Sequence, residues 1–129
     1  MISITAKSPY GLSALIELAR APEGTPVPVA EISRKRDVPA QFLEQICATL
    51  RRGGLLRSQR GVKGGFLLAK PASEITVAEV VALLDGKLGA DATGVFAEAA
   101  DAAREVLAGT TVEDLANAES SDASPMYWI

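Results

Sequence analysis

Three stretches of the chain place apolar residues at i, i+3, i+4 and i+7, the spacing that puts them on one face of an α-helix. They are Leu12, Leu15, Ile16 and Ala19; Leu43, Ile46, Cys47 and Leu50; and Val77, Val80, Val81 and Leu84. A fourth stripe, Phe96, Ala99, Ala103 and Val106, runs along an alanine-rich segment whose other side carries Glu98, Asp101 and Glu105. The punctuation between the stripes predicts where each helix starts and stops. Ser8-Pro9 opens the first helix, with serine as N-cap and proline in the first turn, and Tyr10 to Ala21 follow. A breaker-rich loop over 22–26 leads to a short second helix that begins at Val29 and ends near Arg36. The third helix follows Asp37-Val38-Pro39 and stops at Gly53-Gly54, glycine being suited to a left-handed C-cap. Thr76 with Glu79, and Thr110 with Glu113, have the capping-box spacing and predict two further helix starts. Residues 1–7 read as an extended lead-in, and 86–94 (GKLGADATG) as a flexible connector.

After the third helix the period changes. Two strand-like runs, 55–59 and 66–70, flank the glycine-rich basic tip Arg60-Gly61-Val62-Lys63-Gly64-Gly65. Helix, helix, turn, helix and basic hairpin together describe a winged helix-turn-helix. The expected fold is therefore mainly α with a small β-hairpin wing. Residues 1–70 would form the DNA-binding region, and 71–129 would supply dimerisation or regulatory helices and an apolar tail.

Charge sharpens this picture. The 129 residues carry a net charge of −3, but residues 1–70 hold eleven Lys/Arg against five Asp/Glu, and residues 71–129 hold two against eleven. A half at +6 joined to a half at −9 suits a polyanion-binding module carried by a part that must not bind polyanions. There is no histidine and a single cysteine. The usual general base and an internal disulfide are thus both lacking, and no enzymatic activity is expected. No apolar run is long enough to span a bilayer and no signal-peptide layout opens the chain, so a cytoplasmic protein without membrane partners is expected.

On the third helix, Gln41, Gln45, Ala48 and Arg52 lie opposite the apolar face, with Glu44 beside them. Glutamine can bond adenine at N6 and N7, glutamate can accept from cytosine N4, and Ala48 permits close approach in a major groove. On this helix alone, a solvated polar face is the preferred reading. The hairpin adds Arg57, Arg60 and Lys63, interleaved with glycines that let the backbone near phosphates. An arginine at such a tip can enter a narrow minor groove. The glycine-rich tip is not a P-loop, because no Lys-Ser/Thr and no helix follow it.

The motifs Lys7-Ser8-x-Tyr10-Gly11-Leu12, Glu31-Ile32 and Phe42-Leu43-Glu44-Gln45-Ile46 resemble the Rrf-two (BadM-type) family of bacterial winged-helix regulators. So do Leu50-Arg51-Arg52-Gly53-Gly54-Leu55 and Arg57-Ser58-x-Arg60-Gly61-x-x-Gly64-Gly65-Phe66. The likeness continues through Ala69-x-Pro71, Ile75-Thr76, Val80 and Asp85-Gly86 and then fades. It implies a homodimer paired through the helix at 95–107, with Phe96, Ala99, Ala103 and Val106 at the seam, acting on a near-palindromic operator, as a repressor. By position, Gln41, Glu44 and Gln45 would face bases, Arg60 the minor groove, and Lys7, Ser8, Tyr10 and Arg52 phosphates.

One departure matters. Iron–sulfur members of the family carry three cysteines in the stretch corresponding to 86–94, and here there is none. No cluster and no other cofactor are expected. Cys47 sits at an apolar position of the third helix and is read as core. The tail Pro125-Met126-Tyr127-Trp128-Ile129 is apolar where chain ends are normally polar, which suggests docking on a partner subunit or another protein. A different reading stays open, in which the winged helix is a protein-interaction module that docks a partner through its acidic half. A protein or small-molecule effector also stays open.

Overall fold

The computed structural model describes residues 3–121. Six α-helices and one hairpin follow in the order α1 (Lys7–Arg20), α2 (Val29–Arg36), α3 (Ala40–Arg52), β1 (Leu56–Gln59), β2 (Gly65–Leu68), α4 (Val77–Asp85), α5 (Val95–Ala108) and α6 (Val112–Ser121). A single 3-10 turn, Ala72–Glu74, links the hairpin to α4. The expected architecture, mainly helical with a two-stranded wing, is what the chain adopts.

The stripes read from sequence form the core. Leu12, Leu15 and Ile16 of α1, Leu43, Ile46, Cys47 and Leu50 of α3, and Val77, Val80, Val81 and Leu84 of α4 all lie in one cluster. Ile32 of α2 and Val112 and Leu115 of α6 complete it. Both halves of the chain thus share a single core, and the change of charge near residue 70 divides surfaces, not cores. Burial of this many apolar side chains, at about 1.5–3 kcal/mol each, is the main term holding the elements together.

The turn of the helix-turn-helix is built on a left-handed residue. Asp37 ends α2 at φ 54°, a conformation that aspartate tolerates better than most side chains. The Val38 amide then donates to the Ser33 carbonyl at 3.2 Å, while the Ser33 hydroxyl donates back to the Val38 carbonyl at 2.5 Å. Val38 itself is 4% exposed and plugs the gap between α2 and α3. At the far end of α3, Gly54, not Gly53, takes the left-handed position, at φ 85°. The Leu55 amide donates to Leu50 O and the Gly54 amide to Arg51 O, both at 3.0 Å. That pair of bonds is a Schellman cap, and buried Leu55 supplies its hydrophobic contact.

Several local expectations are corrected. Helix α1 begins at Lys7, and its N-cap is Ala6 without a side-chain bond; Ser8 lies inside the first turn, so its hydroxyl does not cap. Thr76 does cap α4, accepting from the Glu79 amide at 3.1 Å. For α6 the capping threonine is Thr111, which accepts from the Asp114 amide at 3.1 Å while Asp114 accepts from the Thr111 amide at 2.9 Å. Thr110 is one residue too early because its carbonyl is taken by the Val77 amide at 2.9 Å, pairing the two helix entrances. The 86–94 stretch is not a loose connector. Leu88 is 5% exposed, turn bonds join Ala90 N to Lys87 O and Ala92 N to Gly89 O, and Arg104 donates to Leu88 O.

Candidate nucleic-acid interface

Helix α3 separates its faces cleanly. Leu43, Ile46, Cys47 and Leu50 are buried, and Gln41, Glu44, Gln45 and Arg52 are exposed on the other side with Ala48 half-buried among them. Pro39 starts the helix, and its carbonyl accepts from the Leu43 amide at 3.1 Å. Thr49 bonds the Gln45 carbonyl at 3.1 Å and accepts from Arg52 at 3.3 Å, which draws the Arg52 guanidinium back along the helix.

The start of α1 adjoins this face. Lys7 lines a cleft of about 240 Å3 together with Phe42, Gln45, Ile46 and Thr49. Tyr10 is half-buried and meets Phe42 edge-on, with ring centroids 5.5 Å apart at 89°. Its ring therefore locks α1 to α3 as much as it offers a hydroxyl. Ser8 is placed differently from expectation. It is 1% exposed and its hydroxyl donates to Asp85 Oδ2 at 2.5 Å, so its side chain does not reach the surface where a phosphate would lie.

The wing is anchored by a contact that no sequence period signals. Val27, in the loop before α2, exchanges backbone bonds of 2.9 Å in both directions with Phe66, making a one-residue third strand. Gly65 is required there, because a Cβ would come within 2.4 Å of the Val27 carbonyl. Gly64 likewise has no room for a Cβ beside Gln59 O. These two glycines serve the hairpin's own packing; Gly61, at φ 113°, has open space where a Cβ would stand, and its carbonyl accepts from the Gly64 amide at 3.0 Å. Arg60, Val62 and Lys63 stand exposed. Arg57 pairs across the hairpin with Leu67 and lines a separate cleft of about 560 Å3 beside the 22–25 loop and Lys70, on the side of the strand away from buried Leu56.

The cations divide in a telling way. Arg20, Lys35, Arg36 and Lys70 are held by carboxylates. Lys7, Arg52, Arg57, Arg60 and Lys63 are exposed, and none has an acidic partner within the described residues. Arg34, Arg51 and Lys87 are exposed and without an ion pair among the described residues as well, so unneutralised charge lies on α2 and the 86–94 loop besides the start of α1, the end of α3 and the wing.

Cys47 faces inward with 0% exposure. Burial, with a smaller contribution from Glu44, pushes its thiol up to about 12. It is a packing residue in these surroundings and not a nucleophile or ligand. Among the described residues no group of three or more His, Cys, Asp and Glu is placed to hold a metal, and no helix is long and apolar enough to cross a membrane. The expected seam of α5 is open: Phe96 is 67% and Val106 69% exposed, and Ala99 is exposed with Ala103 half-buried. The apolar tail at 125–129 lies outside the described residues.

Comparison with known proteins agrees with this fold. The profile of the Rrf2 family, described as an iron-dependent transcriptional regulator, matches residues 4–118. The HTH-type transcriptional regulator IscR of Photorhabdus laumondii is 41% identical over 87 residues, which are 67% of this chain and 53% of that protein; the matched stretch spans about half of the relative. Among solved structures, CymR, the global cysteine regulator of B. subtilis, superposes with a TM-score of 0.79 at 32% identity, covering 91% of this chain and 98% of that one. T. potens IscR gives 0.79 at 31% identity over 98% and 97%. The residues present do not fit a thiolate-held iron centre: one buried cysteine and no histidine leave the wrong donor set. The fold, the wing and the sequence match all place this chain in the Rrf2 family of transcriptional regulators.

Proposed function

We propose that the protein is a homodimeric, sequence-specific DNA-binding repressor that recognises a near-palindromic operator and works in the cytoplasm without an iron–sulfur cluster or other cofactor. The observation that carries the reading is the exposed Gln41, Glu44 and Gln45 of α3 together with four of the unpaired cations, Lys7 and Arg52 beside that face and Arg60 and Lys63 on the wing. In this reading the three polar residues read base edges in a major groove, Arg60 enters the neighbouring minor groove, and Lys7, Tyr10 and Arg52 grip phosphates. Arg57 and Lys63 add charge to the wing. IscR and CymR, relatives of this chain, are named as regulators, which supports the same role here.

The dimer would form through α5. Phe96, Ala99, Ala103 and Val106 leave an apolar stripe on its surface. Val106 also lines an apolar groove of about 270 Å3 with Ile4, Val77, Val81 and Leu115. Exposed apolar area of this kind is most simply covered by a second copy across a two-fold axis. Two recognition helices about 34–36 Å apart would then meet successive major-groove turns.

The test is duplex binding as a function of salt. If ~6–8 phosphates are neutralised, log K should fall against log[salt] with a slope of about −5 to −7. Arg60→Ala should weaken the specific duplex by about tenfold or more. Salt-insensitive binding, or an Arg60→Ala variant of unchanged affinity, contradicts the proposal.

A further inference from the structure

Helix α1 lacks a cap of its own. Its N-cap is Ala6, and no acidic residue lies in its first turn, although an isolated N-terminus leaves several amides without partners and a partial positive charge. Thr5, just before the N-cap, and a carboxylate 77 residues from Ser8 serve in place of a cap. Asp85, the last residue of α4, accepts the Ser8 hydroxyl on Oδ2 at 2.5 Å. On Oδ1 it accepts the Thr5 hydroxyl at 2.5 Å and the Thr5 amide at 3.2 Å. Thr5 Oγ1 in turn accepts the Lys7 amide at 3.2 Å. Apart from the helical bond of the Tyr10 amide to Ala6 O at 3.1 Å, the bonds described at this turn lead, directly or through Thr5, to one carboxylate.

From this arrangement we infer that Asp85 is a positioning residue for DNA binding: it caps α1 from α4 and fixes where Lys7 stands beside α3. The inference rests on the DNA-binding reading above. Lys7 lines the same cleft as Gln45 and Thr49, so its ammonium is useful only if the first turn of α1 keeps its place relative to α3. Tyr10, at the end of that turn, is held by Phe42 of α3, whereas the turn's beginning, at Thr5 and Ser8, is held by Asp85. Asp85 is directly followed by the 86–94 loop, which packs through Leu88 and Arg104 onto α5. Asp85 has no contact with the bases in this scheme, and its own charge would repel a phosphate. Its contribution is made through Lys7.

A double-mutant cycle tests this on the full chain. Asp85→Asn substitutes a donor for one acceptor oxygen, and Ser8→Ala removes one bond without changing charge. Each should weaken binding to a selected operator duplex by about tenfold, with a cooperative thermal melt retained. In a Lys7→Ala background the same changes should cost less than about twofold, because the residue through which they act is gone. Hydrogen exchange at the amides of Thr5, Lys7 and Ser8 in the free protein should speed up in both variants, a readout that needs no DNA. Should Asp85→Asn fail to fold, Ser8→Ala carries the cycle. Unchanged operator affinity, or a loss equally large in the Lys7→Ala background, overturns the inference while leaving DNA binding standing. Wild-type protein that binds no duplex overturns both readings.

Discussion

Arg36 and Glu119 stand 83 residues apart in sequence and face each other through two parallel hydrogen bonds, Nη1 to Oε2 at 2.9 Å and Nη2 to Oε1 at 2.8 Å. Their side chains are 7% and 1% exposed. Glu17 completes the site, bonding Arg36 Nε at 2.8 Å, and Arg20 reaches Glu119 at 3.1 Å. Burial alone would lower the Arg36 pKa, but the bond to Glu119 and the charges of Glu17 and Glu119 outweigh it and hold the guanidinium above its ordinary value. The pair fastens α6 to α1 and α2, so the C-terminal helix is bolted to the helix-turn-helix.

Breaking one side of this site leaves a buried charge short of its partner. Glu119→Gln should destabilise the fold by about 2–3 kcal/mol, somewhat under the ~3–5 kcal/mol typical of buried pairs because Arg36 keeps Glu17. The half-exposed Lys70–Glu79 pair, at 2.9 Å, is the contrast: Glu79→Gln should cost under ~1 kcal/mol. Urea titrations of the two variants read the difference directly, and equal effects would refute the assigned role of burial.

Asp85 makes stability depend on acid. Its burial alone would raise the carboxyl, but hydrogen bonds from Ser8 and Thr5 overcome that and hold it below the ordinary aspartate value. A carboxylate depressed in the folded state stabilises fully above its unfolded value of about 3.9, and the contribution fades as pH falls through the lower folded value. Wild type should therefore exceed Asp85→Asn in urea midpoint at pH 6, and the gap should close progressively below pH ~4. A gap that persists unchanged at pH 2 would contradict the cap.

The exposed stripe of α5 has a simple consequence for mass. Wild type should sediment at twice the 13.4 kDa of one chain, and Phe96→Glu with Val106→Glu should sediment as a monomer, since two facing carboxylates cannot be buried unpaired. A monomeric wild type would remove the proposed seam.

Cys47 should be silent. With 0% exposure and its thiol pushed up to about 12, it should react with a thiol reagent at pH 8 at least about 100-fold more slowly in the native protein than in urea. Comparable rates would place it at the surface and reopen a redox role.

How legible all this was in the sequence differs from element to element. The stripes of α1, α3 and α4 could be read directly because burial on one helix face imposes its period on the chain. The polar face of α3 followed as the complement of its core face, and the basic tip stood out by charge. Contacts between distant residues carry no such period. Ser8 looks like a local N-cap until Asp85 arrives from α4 to accept its hydroxyl. Thr110 and Thr111 offer equivalent capping spacings, and only the pairing of Thr110 O with Val77 N decides between them. Gly64 and Gly65 suggested room for phosphates, whereas the approach of Val27 explains Gly65. Arg57 lay in a basic run, yet strand alternation turns it toward the cleft beside the 22–25 loop.

Selection of bound fragments from genomic DNA by the full protein tests the central claim most directly. The recovered sequences should share a two-fold symmetric site whose half-sites lie about one helical turn apart, and they should outcompete random duplex by at least ~10³. A folded protein that recovers no shared sequence, or binds selected and random duplex alike, would contradict the account.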